Sequence, residues 1–150
     1  MLTFKQKFLL FILISLWVSG IFIEFLIPYF NNLSFLYPVL SRIYSTVCHQ
    51  QAEKLIVFNN HSSLVCSRCA GIYIGGFISS FIMLFVSKLN IKNGKILLLT
   101  SFPMLIDVLL YSFGIYSYSK YFALITGFLF GFVGIVYIYN GFQILIEKNE

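Results

Sequence analysis

Residues 121–146 read YFALITGFLFGFVGIVYIYNGFQILI, with no charged side chain among them. About 20 apolar helical residues cross a hydrocarbon core of roughly 30 Å, and inside lipid the backbone must satisfy its own polar groups. This stretch is therefore predicted to span a membrane. Three further runs read the same way: about 8–29, about 66–86 and about 96–113. The first contains Glu24 and is stopped by Pro28, and the third is interrupted by Pro103 and Asp107. The first run is too long for the apolar part of a signal peptide and no small-x-small cleavage pattern follows it, so it is expected to be retained.

Composition supports this. Of 150 residues, 59% are hydrophobic and 10% charged, with a mean hydropathy of +0.91. A soluble domain carries roughly 25% charged residues. The chain is thus excluded from ordinary soluble domains, disordered chains and disulfide-dense miniproteins. The expectation is one polytopic all-α membrane domain of four spans, over residues 1–150, in contact with the lipid bilayer. The net charge is +5, but the basic residues sit at the ends of the apolar runs and form no stripe interleaved with aromatics. They read as topology signals, and no nucleic-acid partner is expected. Lys5, Lys7, Lys88, Lys92, Lys95 and Lys148 fall on one side, and Arg42, Lys54, Arg68 and Lys120 on the other. The positive-inside rule then predicts a multi-pass protein of a bacterial cytoplasmic (inner) membrane with both termini in the cytoplasm.

The one substantial loop, about 30–65, would face outward. Leu36, Val39, Leu40, Ile43 and Val47 recur at helical spacing, which predicts a short amphipathic helix on the membrane surface. Leu55-Ile56-Val57-Phe58 and Leu64-Val65 flank an Asn-rich turn at Asn59–Ser63, which predicts a small β-hairpin. All three cysteines, Cys48, Cys66 and Cys69, lie in or beside this loop. Three thiolates and one imidazole suit tetrahedral zinc. The predicted ligands are Cys48, Cys66, Cys69 and His49, with His61 as an alternative to His49. Gln50, Arg68 and Asp107 are expected around them. The same Cys66-Ser67-Arg68-Cys69 also fits redox chemistry, because a cysteine at a helix N-terminus beside an arginine is a reactive thiolate. A plain structural disulfide is the third reading.

Carboxylates within spans are costly and point to function. Glu24, Asp107, the cysteines opening the second span, and Thr126-Gly127 are all expected at one depth, and Asp107 is expected to pair with Arg68. Were the site catalytic, Asp107, Glu24 or Arg68 would be the acting groups. A transport role ranks lower, because there is a single deep carboxylate, no inverted repeat and no paired broken helices. Gly71/Gly75 and Gly127/Gly131 each form G-x-x-x-G, read as close helix packing within the chain.

Three segments together resemble a family of bacterial membrane proteins, domain of unknown function 2085. They are Cys48-His49-Gln50 with Glu53-Lys54, then Cys66-Ser67-Arg68-Cys69-Ala70-Gly71-Ile72-Tyr73-Ile74-Gly75, and Pro103 and Asp107 followed by Thr126-Gly127 and Gly131. The resemblance covers most of the chain from the loop onward. It implies a small multi-span protein with an outer Cys/His motif and supplies no activity. Departures from the family pattern are Ala52, Lys54 and Leu55 where it has Pro, Arg and Ser, Val108 where it has Gly, and Ala123 where it has Arg. The leading functional reading is a metal-binding membrane protein, most simply zinc. The alternatives are a thiol–disulfide oxidoreductase using Cys66 and Cys69 and a structural membrane protein with a loop-tying disulfide.

Overall fold

The structure is a computed structural model that describes residues 4–59, 61–86 and 94–148. Lys88, Lys92 and Asn93 of the predicted link, and Asn60 of the predicted turn, lie outside the described residues. The helices are α1 (Phe4–Ile21), α2 (Ile23–Leu26), α3 (Leu36–Ser45), α4 (Ser67–Phe85), α5 (Gly94–Ser112) and α6 (Lys120–Lys148). Strands β1 (Leu55–Phe58) and β2 (His61–Cys66) pair between α3 and α4. Four helices, α1, α4, α5 and α6, are long and apolar enough to cross a membrane. The chain is an all-α membrane protein carrying one small antiparallel hairpin.

α4 and α6 form the central pair, and their sequences explain why. A Cβ on Gly71 or Gly75 would collide with the carbonyl oxygens of Leu124 and Phe128 of α6. Reciprocally, a Cβ on Gly127 or Gly131 would collide with those of Arg68 and Ile72 of α4. Lipid tails are as apolar as leucine, so contact of this kind, rather than apolar burial, joins helices in a bilayer. The two G-x-x-x-G motifs therefore pack against each other's helices within the chain. α1 lies along α4, with Phe11 stacked on Phe77 at 5.3 Å between ring centroids. α5 lies along α6 on the outside. Leu98 and Leu99 of α5 are 70% and 72% exposed, a lipid-facing surface.

A smaller buried apolar cluster, Met83, Val136 and Tyr139, lies between α4 and α6; the larger one sits where the loop docks. Ile21, Ile23, Tyr44, Cys48, Leu64, Val65 and Ala70 form it. Leu36, Val39, Ile43 and Val47 of the predicted amphipathic stripe are exposed, while Tyr44 on the other face is 1% exposed. The Tyr44 hydroxyl donates to the Trp17 carbonyl at 2.5 Å, near the end of α1, and burial pushes that hydroxyl up to about 12. α3 thus exposes most of its apolar stripe, while Leu40 and Tyr44, one turn apart, pack inward against the core.

The first apolar run differs from its expected continuous course. α1 starts at Phe4, breaks at Phe22 (φ −103°, ψ 19°) and resumes as α2. Glu24 therefore sits on a separate short helix packed against β2. The hairpin is tighter than expected, because β2 begins at His61 opposite Phe58. Asn59 makes this turn with φ 47°, a left-handed conformation that asparagine tolerates better than most residues.

Candidate metal centre

Each cysteine is placed by a different local device. Cys48 follows α3, its N–H still bonded to the Tyr44 carbonyl at 2.9 Å. The chain then turns sharply at Gln50, which has φ 48°. The Gln50 side-chain amide holds that turn, donating to the carbonyls of Ser41 (3.2 Å) and Leu64 (2.8 Å). Cys66 ends β2 opposite Leu55 and precedes the first turn of α4. Cys69 lies in that first turn, three residues along and so on the same helical face. Ser67, fully buried, donates to the Lys54 carbonyl at 3.0 Å and ties the hairpin approach to α4.

The outcome is a cluster in which the three Sγ atoms all lie within 4.8 Å of one another. All three thiols are free. Cys48 is buried and the other two half-buried. The Cys48 Sγ accepts the Cys66 backbone N–H at 3.2 Å. The Cys66 thiol is held down at about 5, first because the Cys69 thiol donates to it. Burial opposes this shift, while the Cys69 and Arg68 backbone N–H groups and the Cys48 thiol support it.

Beside the cluster is a buried ion pair. Arg68 Nη2 donates to Asp107 Oδ2, and the two side chains are 17% and 0% exposed. The other oxygen, Oδ1, accepts the Tyr116 hydroxyl. Arg68 also lies over the Tyr118 ring, 5.8 Å from its centroid. The Lys54 ammonium lies 5.5 Å from the same ring and 4.2 Å from that of Tyr111. Burial pushes the Tyr118 hydroxyl up to about 12, so it stays protonated at neutral pH. A cleft of about 440 Å³ opens over this region, lined by the three cysteines, His49, Gln50, Gln51, Lys54 and Arg68, among others.

The residues expected at one site are thus partly gathered. Cys48, Cys66, Cys69, Arg68 and Asp107 lie together, and His49 is exposed on the rim of their cleft. Gln50 also lines the cleft, but its amide braces the loop. His61 and Glu24 lie elsewhere. His61 Nδ1 is 3.8 Å from Glu24 Oε1, and the Ser62 hydroxyl donates to Glu24 Oε2 at 2.9 Å. The hairpin provides these partners for Glu24, so this carboxylate does not join the cysteines. Thr126 bonds to carbonyls of its own helix, and Gly127 packs on the Arg68 backbone. Lys54, Tyr111, Tyr116 and Tyr118 were not expected here. Their signal is a Tyr-x-Tyr in the short polar link after the Asp107 helix, which composition alone assigns to an interfacial aromatic belt.

Four membrane helices with a docked loop, clustered thiols and a buried Arg–Asp pair define a small polytopic membrane protein with a thiol site at one end. The chain belongs to the family described as a predicted membrane protein, domain of unknown function 2085, whose model matches residues 48–137. That match starts at the first cysteine and includes all three, with Arg68 and Asp107. Over 96% of this chain and 98% of the relative, it is 33% identical to an uncharacterized protein of Methanocaldococcus jannaschii. A stretch covering 41% of this chain and 56% of the relative is 36% identical to an uncharacterized protein of Methanothermobacter thermautotrophicus. Both relatives are archaeal. No solved structure matches the chain.

Proposed function

We propose that Cys48, Cys66 and Cys69 bind one metal ion, zinc in the first instance, with His49 as the fourth ligand. The observation that carries this is the approach of three free thiols from two separate segments to within 4.8 Å of one another. A tetrahedral zinc with Zn–S of about 2.3 Å holds its sulfurs roughly 3.8 Å apart. The cluster would need to contract by about 1 Å at most to fit. The N–H bond onto the Cys48 sulfur and the lowered Cys66 thiol both favour thiolates, the form that binds metal. Such an ion, with four protein ligands, would tie the loop to α4; it would act as a Lewis acid beside the cleft only with water in place of His49.

The Cys66 thiol also favours a second reading, a thiol–disulfide oxidoreductase, because a low-pKa cysteine ahead of a helix is the attacking kind. Alkylation separates the two. Under the metal reading, all three thiols of the purified protein resist iodoacetamide until a chelator is added, and reductant makes no difference. A labelling pattern that follows reductant and ignores chelator would support the redox reading. We further propose that the thiol site faces away from the cytoplasm. Arg68 is neutralised by Asp107 and drops out of the charge bias. Arg42, Lys54 and Lys120 then stand on the cysteine side against six lysines on the other.

A further inference from the structure

We propose that the cleft beside the cysteines binds a phosphate-type oxyanion, held by the Arg68 Nε–H and the Lys54 ammonium with the Tyr118 hydroxyl beside them. The inference does not require a metal on the thiols. Arg68 uses Nη2 on Asp107, but its Nε is buried and makes no hydrogen bond among the described residues. The Tyr118 hydroxyl is likewise buried, and its O–H has no acceptor among the described residues. Buried donors of this kind are rare, because each one left unmade has given up its hydration for nothing.

The charges point the same way. Lys54 and Arg68 both line the cleft, and both lie against the ring of Tyr118. Asp107 neutralises only one of these cations. Lys54 makes no ion pair among the described residues, and its backbone is pinned to α4 through Ser67. Two cations lining one cleft, one of them with a spare buried N–H, favour an anion bound there. A water would satisfy the donors but not the charge. The two cations come from separate segments, the approach to the hairpin and the start of α4, with Tyr118 of the α5–α6 link packed against both. This spread suits the several oxygens of a tetrahedral anion better than a flat carboxylate. Such an anion is found both free in solution and in lipid headgroups.

The test has two arms, using the full-length protein. In the first, inorganic phosphate is titrated calorimetrically into protein in phosphatidylcholine nanodiscs. In the second, native mass spectrometry in mild detergent compares retention of phosphatidic acid with that of phosphatidylcholine. Binding in the first arm alone assigns a free oxyanion; selective retention in the second assigns a lipid headgroup. In whichever arm is positive, Arg68→Lys, which keeps a cation for Asp107 but removes Nε–H, and Lys54→Gln are each expected to weaken binding at least tenfold. Lys54→Gln, on a half-buried side chain, carries the test should Arg68→Lys not fold. Metal content is measured in parallel and should not change, which separates this site from the thiols. Absence of binding in both arms, or wild-type affinity in Lys54→Gln, overturns the proposal.

Discussion

Cutting the Arg68–Asp107 pair should cost far more than removing it whole. Asp107 is the buried residue of α5 among the described ones, and its carboxylate takes Arg68 on one oxygen and Tyr116 on the other. Asp107→Leu would leave a guanidinium that is 17% exposed without its counter-ion. Breaking a buried pair from one side costs about 3–5 kcal/mol. Arg68 lies in the first turn of α4 and can reach water, so the lower end, about 3 kcal/mol, applies. Arg68→Met should cost somewhat less, about 2 kcal/mol, because an abandoned carboxyl can take a proton. The double variant Arg68→Met, Asp107→Leu buries no charge, and hydrophobic replacements of buried pairs are often near neutral. A coupling energy of about 5 kcal/mol follows, above the roughly 0.5–3 kcal/mol usual for residues in contact. The assay is reversible unfolding in mixed micelles with rising SDS, followed by Trp17, the single tryptophan. Singles that each cost under about 1 kcal/mol and simply add would refute the reasoning, since the pair would then behave like an exposed one.

Three further outcomes follow from the geometry. Gly131→Leu would drive a side chain into the Ile72 carbonyl, whereas a Cβ on Gly134 meets nothing within 4 Å. The first should therefore abolish folding or lower stability by more than about 3 kcal/mol, while Gly134→Ala should be neutral or gain up to about 1 kcal/mol of helix propensity, read by thermal melting in detergent. Tyr44→Phe keeps the ring but removes the hydrogen bond to Trp17, and should cost about 1 kcal/mol in the same melt. In metal-free protein, Cys66 should be alkylated at a rate that rises through about pH 5, rather than through the usual thiol range near pH 8.5. Because the folded value is depressed, the stability this thiolate contributes is fully present above the unfolded pKa and is lost as pH falls through about 5. A labelling profile with its midpoint above pH 8 would contradict this.

How far the sequence could be read depended on the kind of physics involved. Spans are legible because lipid imposes one long apolar run per helix, and α4, α5 and α6 begin within two residues of where the runs do. Glycine spacing likewise predicted close helix packing within the chain, though not that α4 and α6 are each other's partners. The break at Phe22 was not read, although Ser19-Gly20 stands just ahead of it; Pro28 lies a turn and more later. It comes from long-range packing of the loop, in which Tyr44 meets Gly20 and the hairpin meets Glu24. The cysteine pair and the Arg68–Asp107 partnership were legible from residue type, because thiols and buried charges have few partners. Glu24 was misplaced by the same argument, since depth in an apolar run does not say which side chains arrive from a loop 38 residues away. Lys54 and the tyrosines after α5 were overlooked because an aromatic near a membrane surface usually has no partner to find.

Whether the three thiols form one metal site is decided by metal stoichiometry. The protein would be purified in mild detergent without chelator or polyhistidine tag and analysed by elemental mass spectrometry beside Cys48→Ser and the Cys66→Ser, Cys69→Ser double variant. The account predicts about one zinc per chain in the wild type and loss of that metal in both variants. Metal-free wild-type protein that remains metal-free after incubation with zinc, or metal retained in either variant, would contradict it.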